Sequence, residues 1–181
     1  MVCSVCLVLL AGFFISTQDA MAGSEFDDVL SKKSGRENWR LVVSKLHGTN
    51  PKLSETEQGI KLAPLLSSNA NYLKYIRLVE IEEGVTYKVS FEARLAQGTY
   101  SVLIAQGTGL KMTRVIHYRG KQLEASSDFQ IHEFEFTAKP PPREKVENGD
   151  YIKNAEAHMV FQLGVGNESF ELNWVKFAEV K

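Results

Sequence analysis

The stretch Glu80 to Arg94, E-I-E-E-G-V-T-Y-K-V-S-F-E-A-R, restricts the fold more than any other part of the chain. From Tyr87 onward apolar and polar residues alternate. Tyr87, Val89, Phe91 and Ala93 share one parity; Lys88, Ser90, Glu92 and Arg94 share the other. A sustained period of two, rich in β-branched and aromatic types, marks a half-buried strand, because successive side chains leave a strand on opposite faces. Gly84 stands at the entry to this strand, where a turn is needed and a residue without Cβ takes positive φ at little cost.

Runs of the same kind recur along the chain. Trp39–Leu46, Gln58–Ala63, Tyr72–Ile81, Tyr100–Gln106, Phe129–Ala138, Ala155–Gly164 and Ser169–Val180 read as strands. Met112–Tyr118 and Gln122–Ser126 read as a hairpin across Arg119-Gly120-Lys121. Tyr72–Ile81 is less orderly. Ile76 and Leu78 share one parity, Val79 and Ile81 the other, and a bulge or a switch between sheets near Leu78-Val79 would reconcile them. With Ile76 and Leu78 turned inward, Leu73, Tyr75 and Arg77 face outward. The total is about ten or eleven short strands with turn signals between them and no helix, which predicts an all-β, antiparallel β-sandwich. No βαβ alternation is present, which argues against the nucleotide-binding α/β folds.

The N-terminal segment differs from the rest. Val5 to Ile15 is an apolar run too short to span a bilayer, and Ala20-Met21-Ala22 has the small-x-small form of a signal-peptidase site. Residues 1–22 are therefore read as a signal peptide, although no Lys or Arg precedes Lys32; a buried N-terminal helix is the alternative. Residues 23–38 form an N-terminal arm or edge strand, and residues 39–181 the sandwich. The two cysteines, Cys3 and Cys6, both lie in the leader. The mature chain then carries no thiol and must rely on its core in an oxidising compartment. A secreted or periplasmic bacterial protein is expected, monomeric and without membrane insertion once the leader is removed. The chain of 181 residues carries 21 basic and 22 acidic residues, which argues against nucleic acid as a partner.

Catalytic patterns are weak. Gly107-Thr108-Gly109 and Gly164-Val165-Gly166 lead into no helix, so they are turns and not phosphate cradles. The four histidines, His47, His117, His132 and His158, lack metal-ligand spacing, so no metal site is assigned. Glu133 and Glu135 share a face and could form a glycosidase pair, but alternation makes them the solvated side of a strand. The chain is accordingly read as a non-enzyme.

Binding has more behind it. A sandwich can present one sheet as a ligand surface, and sugars are held by aromatic rings together with amides and guanidinium groups. Tyr75 and Arg77 offer these types at outward parity. So do His158 and Gln162, because Met159, Phe161 and Leu163 claim the core. Gln106 and Tyr118 lie at strand ends.

Val79 to Arg94 resembles the x-x-G-x-x-Y-x-V-S-F-x-A-R centre of carbohydrate-binding modules of the family 4/9 type, which are galactose-binding-like jelly rolls. The closing strands A-H-M-V-F-Q-L-G and S-F-E-L-N-W-V-K-F resemble that family's last pair. The resemblance runs through Trp39–Lys181 in strand order and is specific in these two stretches. It implies a jelly-roll topology and non-catalytic binding of a polysaccharide or oligosaccharide, β-glucan or xylan-like, on the concave sheet. It places Tyr75, Arg77 and Gln162 near the cleft. It also brings in a structural calcium, and here the chain departs from the pattern. Ser24–Asp28 only echoes the usual N-terminal segment, and Asn173-Trp174 stands where an aspartate doublet is usual, with one carboxylate fewer. No other cofactor is expected. Trp174 is read as packing on the core, with an exposed platform as the alternative. Two other functional classes remain open: a cell-envelope structural or protein-interaction module, and a small jelly-roll glycosidase or lyase.

Overall fold

Two long strands, β6 (Thr86–Gln106) and β7 (Ile116–Thr137), run side by side through the whole molecule and bend together. The computed structural model describes residues 25–44, 51–63, 65, 73–106, 116–139, 157–163 and 168–181, with the side chains of Gln106 and of residues 116–122 left out. The signal-peptide reading, His47, and both G-x-G turns lie outside the described residues.

The other elements are β1 (Phe26–Val29), a short helix α1 (Lys33–Arg36), β2 (Trp39–Val43), β3 (Lys52–Glu55), β4 (Ile60–Ala63), β5 (Leu73–Val79), β8 (Ala157–Leu163) and β9 (Phe170–Glu179). All pairings are antiparallel, and they join nine strands into one hydrogen-bonded sheet. The sheet folds over on itself because β6 changes partners along its length. Its first half pairs with β9, its second half with β8. Between the halves, register shifts from Ala93 to Thr99 and a positive φ of 82° at Gly98 turn the strand. A bulge raises local twist and bends the strand that carries it.

Two layers result. The front layer is β2-β5-β8 with the second half of β6 and the first half of β7. The back layer is β3-β4-β9 with the first half of β6 and the second half of β7, and β1 runs along β9 beyond β4. The β-sandwich expected from the alternation is the observed fold. Gly84 takes φ 83° at the predicted turn.

Rings from the two layers interlock in the core. Phe161 of β8 meets Phe91 of β6 edge-on at 5.2 Å and Phe170 of β9 at 5.7 Å. Tyr87, Phe136 and Phe177 stack near the far end, and Trp39 stacks on Tyr75 at 5.1 Å.

Three expectations are corrected. The first concerns β5: Leu73, Tyr75, Arg77 and Val79 point inward, and no bulge is found at Leu78-Val79. Tyr75 is 1% exposed within the main core. Both parities of β5 are apolar because the outward one forms a cluster of its own, described below. The second concerns the hairpin at Arg119-Gly120-Lys121, which is instead one continuous strand. Leu103 pairs with Arg119 and Ser101 with Gln122, so β7 places an extra residue at Gly120-Lys121. A bulge and a tight turn are alternative uses of the same segment, and here the long partner β6 decides for the bulge. Third, Trp174 is half-buried on the outer side of the back layer, opposite Glu92, with the Lys176 ammonium 5.7 Å from its ring. A bulge at Asn173, where β9 places an extra residue against β6, turns Trp174 away from the core.

The N-terminal segment is an edge strand. Asp28 of β1 and Arg77 of β5 form a buried ion pair across the two layers. The Trp39 indole N–H donates to the same carboxylate at 2.8 Å, and the guanidinium lies over the Phe26 ring at 3.5 Å. Burial pulls Arg77 down to about 10, so it stays cationic at neutral pH.

Tyr75 and Tyr100 have buried hydroxyls with no hydrogen-bond partner among the described residues, and burial holds both phenols above their ordinary value. An unfolded tyrosine ionises near pH 10. The two rings therefore contribute stability that is complete below about pH 10 and is lost as pH rises beyond it. The urea midpoint is expected to fall between about pH 9 and about pH 11, less steeply in the Tyr75→Phe, Tyr100→Phe double variant. Equal slopes in both proteins would remove the tyrosines as the cause.

Candidate functional site

The outward face of the front layer carries both His158 and Gln162, four residues apart on β8. Strand register sets its residues in three rows running across the strands. The first row is Val42, Lys74, Gln162, Ser101 and Gln122. The second is Arg40, Ile76, Val160, Leu103 and Arg119. The third is Leu78, His158, Ala105 and His117. Strand spacing makes a row about 19 Å long across five strands, with about 7 Å between rows.

The centre of this face is apolar. Ile76, Leu103, Ala105 and Val160 form a cluster separate from the main core, with exposures of 2%, 9%, 2% and 1%. These are the residues that gave β5 its second apolar parity. Lys74, Ser101 and Gln162 are half-buried beside them, and Arg40, Val42 and Leu78 are exposed. His158 is buried at 8% exposure. The aliphatic cluster is thus packed and closed to a ligand, as Tyr75 is. The polar groups that reach solvent around it, an ammonium, a guanidinium, an amide and a hydroxyl, can hydrogen-bond to hydroxyls.

The candidate residues divide as follows. His158 and Gln162 lie on this face, as parity on β8 predicts. Tyr75 and Arg77 do not: both belong to the interior, Tyr75 under Trp39 and Arg77 on Asp28, so neither offers a surface to a ligand. Gln106 pairs with Ala157 and Ile116, and Tyr118 with Ile104, while their side chains lie outside the described residues. Sequence reading missed Arg40, Lys74 and Ser101. The signal for Arg40 was available, since Trp39, Leu41 and Val43 alternate with Arg40 and Val42.

The outer side of the back layer has a different chemistry, because most of its cations are paired with carboxylates. Lys88 holds Glu133 at 2.8 Å, Lys176 holds Asp27 at 2.8 Å, and the largely buried Glu171 takes Arg94 at 2.8 Å and Lys61 at 3.3 Å. Glu133 and Glu135 are both exposed there, on the layer away from the three rows.

The calcium implied by the resemblance can be tested against its positions. Asp27 and Asp28 are engaged by Lys176 and Arg77. The Asn173 amide donates to Glu92 at 2.7 Å and to Gln58 at 3.3 Å, which occupies oxygens that would have to join it as ligands. Its own Oδ1 is buried without a hydrogen-bond partner among the described residues, but one amide oxygen supplies no charge. No group of three or more His, Cys, Asp or Glu among the described residues is placed to hold a metal ion. The residues present do not fit a calcium ion.

No family model matches the sequence, and no curated protein matches it. Solved structures do. A CBM4 structure aligns with a TM-score of 0.60 at 15% identity, over 78% of this chain and 86% of its own. The second N-terminal cellulose-binding domain of β-1,4-glucanase C from Cellulomonas fimi aligns at 0.59 and 19% identity, over 84% of this chain and 91% of its own. The CBM22-1 xylan-binding domain of Xyn10C from Paenibacillus barcinonensis aligns at 0.56 and 7% identity, over 86% and 94%. At these identities the likeness is one of fold.

Proposed function

We propose that this chain, which has the fold of the carbohydrate-binding modules, binds a polysaccharide or oligosaccharide without cleaving it, on the outward face of the front layer. The observation that carries the reading is the set of solvent-reaching hydrogen-bonding groups on four neighbouring strands of this face, Arg40 on β2, Lys74 on β5, Gln162 on β8 and Ser101 on β6. A cellulose-binding and a xylan-binding domain among the aligned structures support a glycan as the ligand class. Glu133 and Glu135 lie on the opposite layer, and no described residue of the three rows is a carboxylate, which speaks against a hydrolytic pair. We read the protein as an exported monomer. No helix among the described residues is long and apolar enough to cross a membrane.

Affinity electrophoresis through gels containing β-glucan, xylan, mannan or a polyuronate tests this. Retardation by at least one polymer is expected, with no reducing sugar or unsaturated product released. Gln162→Ala is expected to weaken that binding roughly three- to tenfold, the worth of one hydrogen bond of about 0.5–1.5 kcal/mol, and to leave the thermal midpoint in place. Unaltered mobility in every gel would overturn the reading.

A further inference from the structure

We propose that the glycan taken by this face is anionic, a uronate-bearing polysaccharide whose carboxylates reach Lys74 and Arg40. This deepens the binding reading above and rests on it.

The starting observation is how the cations are distributed. Arg36, Lys61, Arg77, Lys88, Arg94 and Lys176 each hold a carboxylate. Lys74 and Arg40 hold none among the described residues; the exposed Lys32, Lys52 and Lys181 hold none either, but they lie outside the three rows. Lys74 is half-buried in the first row, between Val42 and Gln162, and Arg40 is its diagonal neighbour on β2. Diagonal neighbours lie about 7–8 Å apart, within joint reach of two long side chains on one ligand.

An ammonium withdrawn from water without a counter-charge costs free energy. Burial lowers the pKa of Lys74, with no carboxylate among the described residues to restore it. A neutral glycan laid over the face would withdraw Lys74 further and give it only hydroxyls in exchange. A glycan carboxylate would give it an ion pair in a partly desolvated site, where charge-assisted hydrogen bonds are strong. Glu80, just past β5, and Glu124, opposite Thr99, stand outside the three rows, both exposed. The chain as a whole has a net charge of −1, so it has no general attraction for polyanions. The positive character belongs to this face.

The test measures binding of the full protein to two carboxylated polymers (alginate and polygalacturonate), two neutral ones (a β-glucan and a mannan), and dextran sulfate. Carboxylated polymers are expected to bind at least about tenfold more tightly than neutral ones, and Lys74→Gln to lose about tenfold, while Lys74→Arg keeps most of the affinity. Raising salt from about 0.05 M to about 0.5 M should weaken the binding progressively. Thermal midpoints of the two variants check that both are folded. Binding confined to neutral polymers would overturn the anionic proposal and keep the binding function. Equal binding of dextran sulfate would reduce it to general polyanion attraction and overturn it, as would Lys74→Gln with undiminished polyuronate affinity. Failure to bind any polymer would overturn both readings.

Discussion

Asp28→Ala is expected to cost about 3–5 kcal/mol, because it leaves the Arg77 guanidinium charged and buried with no counter-ion. Typical domains have a total stability of about 5–15 kcal/mol, so the variant would be close to unfolding near body temperature. The residues around the pair explain why it cannot relax. Arg77 is 6% exposed and held under the Phe26 ring, and it remains cationic well above neutral pH. Asp28 also accepts the Trp39 indole N–H, which would be left without its acceptor. The effect reaches the front face, because Arg77 pairs in register with Trp39 and the next residue of β2 is Arg40. Urea denaturation checks the size of the loss. A second variant separates charge from packing. Replacing both partners, Asp28→Leu with Arg77→Met, removes the charge together with its partner and is expected to recover most of the stability. If the double variant were no more stable than Asp28→Ala, the buried charge would not be the cause.

This ion pair also shows what a single sequence hides. Asp28 and Arg77 lie on strands that never pair with each other, and nothing local to either residue announces the contact. The first half of β6 was legible because only one of its parities is apolar. On β5 both parities are apolar, since Tyr75 and Val79 fill the main core while Ile76 joins Leu103, Ala105 and Val160 outside it. Choosing between them requires the partner strands, which is non-local information. The same holds at Gly120, where a turn signal became a bulge only because β6 continues alongside. β3 was invisible for a simpler reason. It is an exposed edge strand, Lys52–Glu55, with no buried residue to give it a period. The outward face of the front layer was readable where one strand left no choice: Met159, Phe161 and Leu163 fix β8, so the opposite parity of His158 and Gln162 followed.

The second large effect follows from that same strand. Phe161→Ala is expected to destabilise the protein by about 3–5 kcal/mol, as for other large aromatic deletions in closed cores. Phe161 is 0% exposed. Its ring is the contact point of the two layers, 5.2 Å from Phe91, 5.7 Å from Phe170 and 5.7 Å from Trp39. Those rings sit on β6, β9 and β2, so no one element can move in to fill the cavity without breaking its own pairing. Ile131→Ala is the matched control: that side chain is 64% exposed and its loss should stay within about 0.5 kcal/mol. Equal losses from Phe161→Ala and Ile131→Ala would contradict the assignment of the inter-layer core. The neighbouring residue then provides a cross-check on function. Gln162 points to the opposite side of the same strand, so Gln162→Ala should lower glycan affinity at unchanged stability. Phe161→Ala should lower stability while the folded fraction keeps its affinity. A strand only two side chains thick thus separates the two properties, and exchanging the two outcomes would mean that β8 faces the other way.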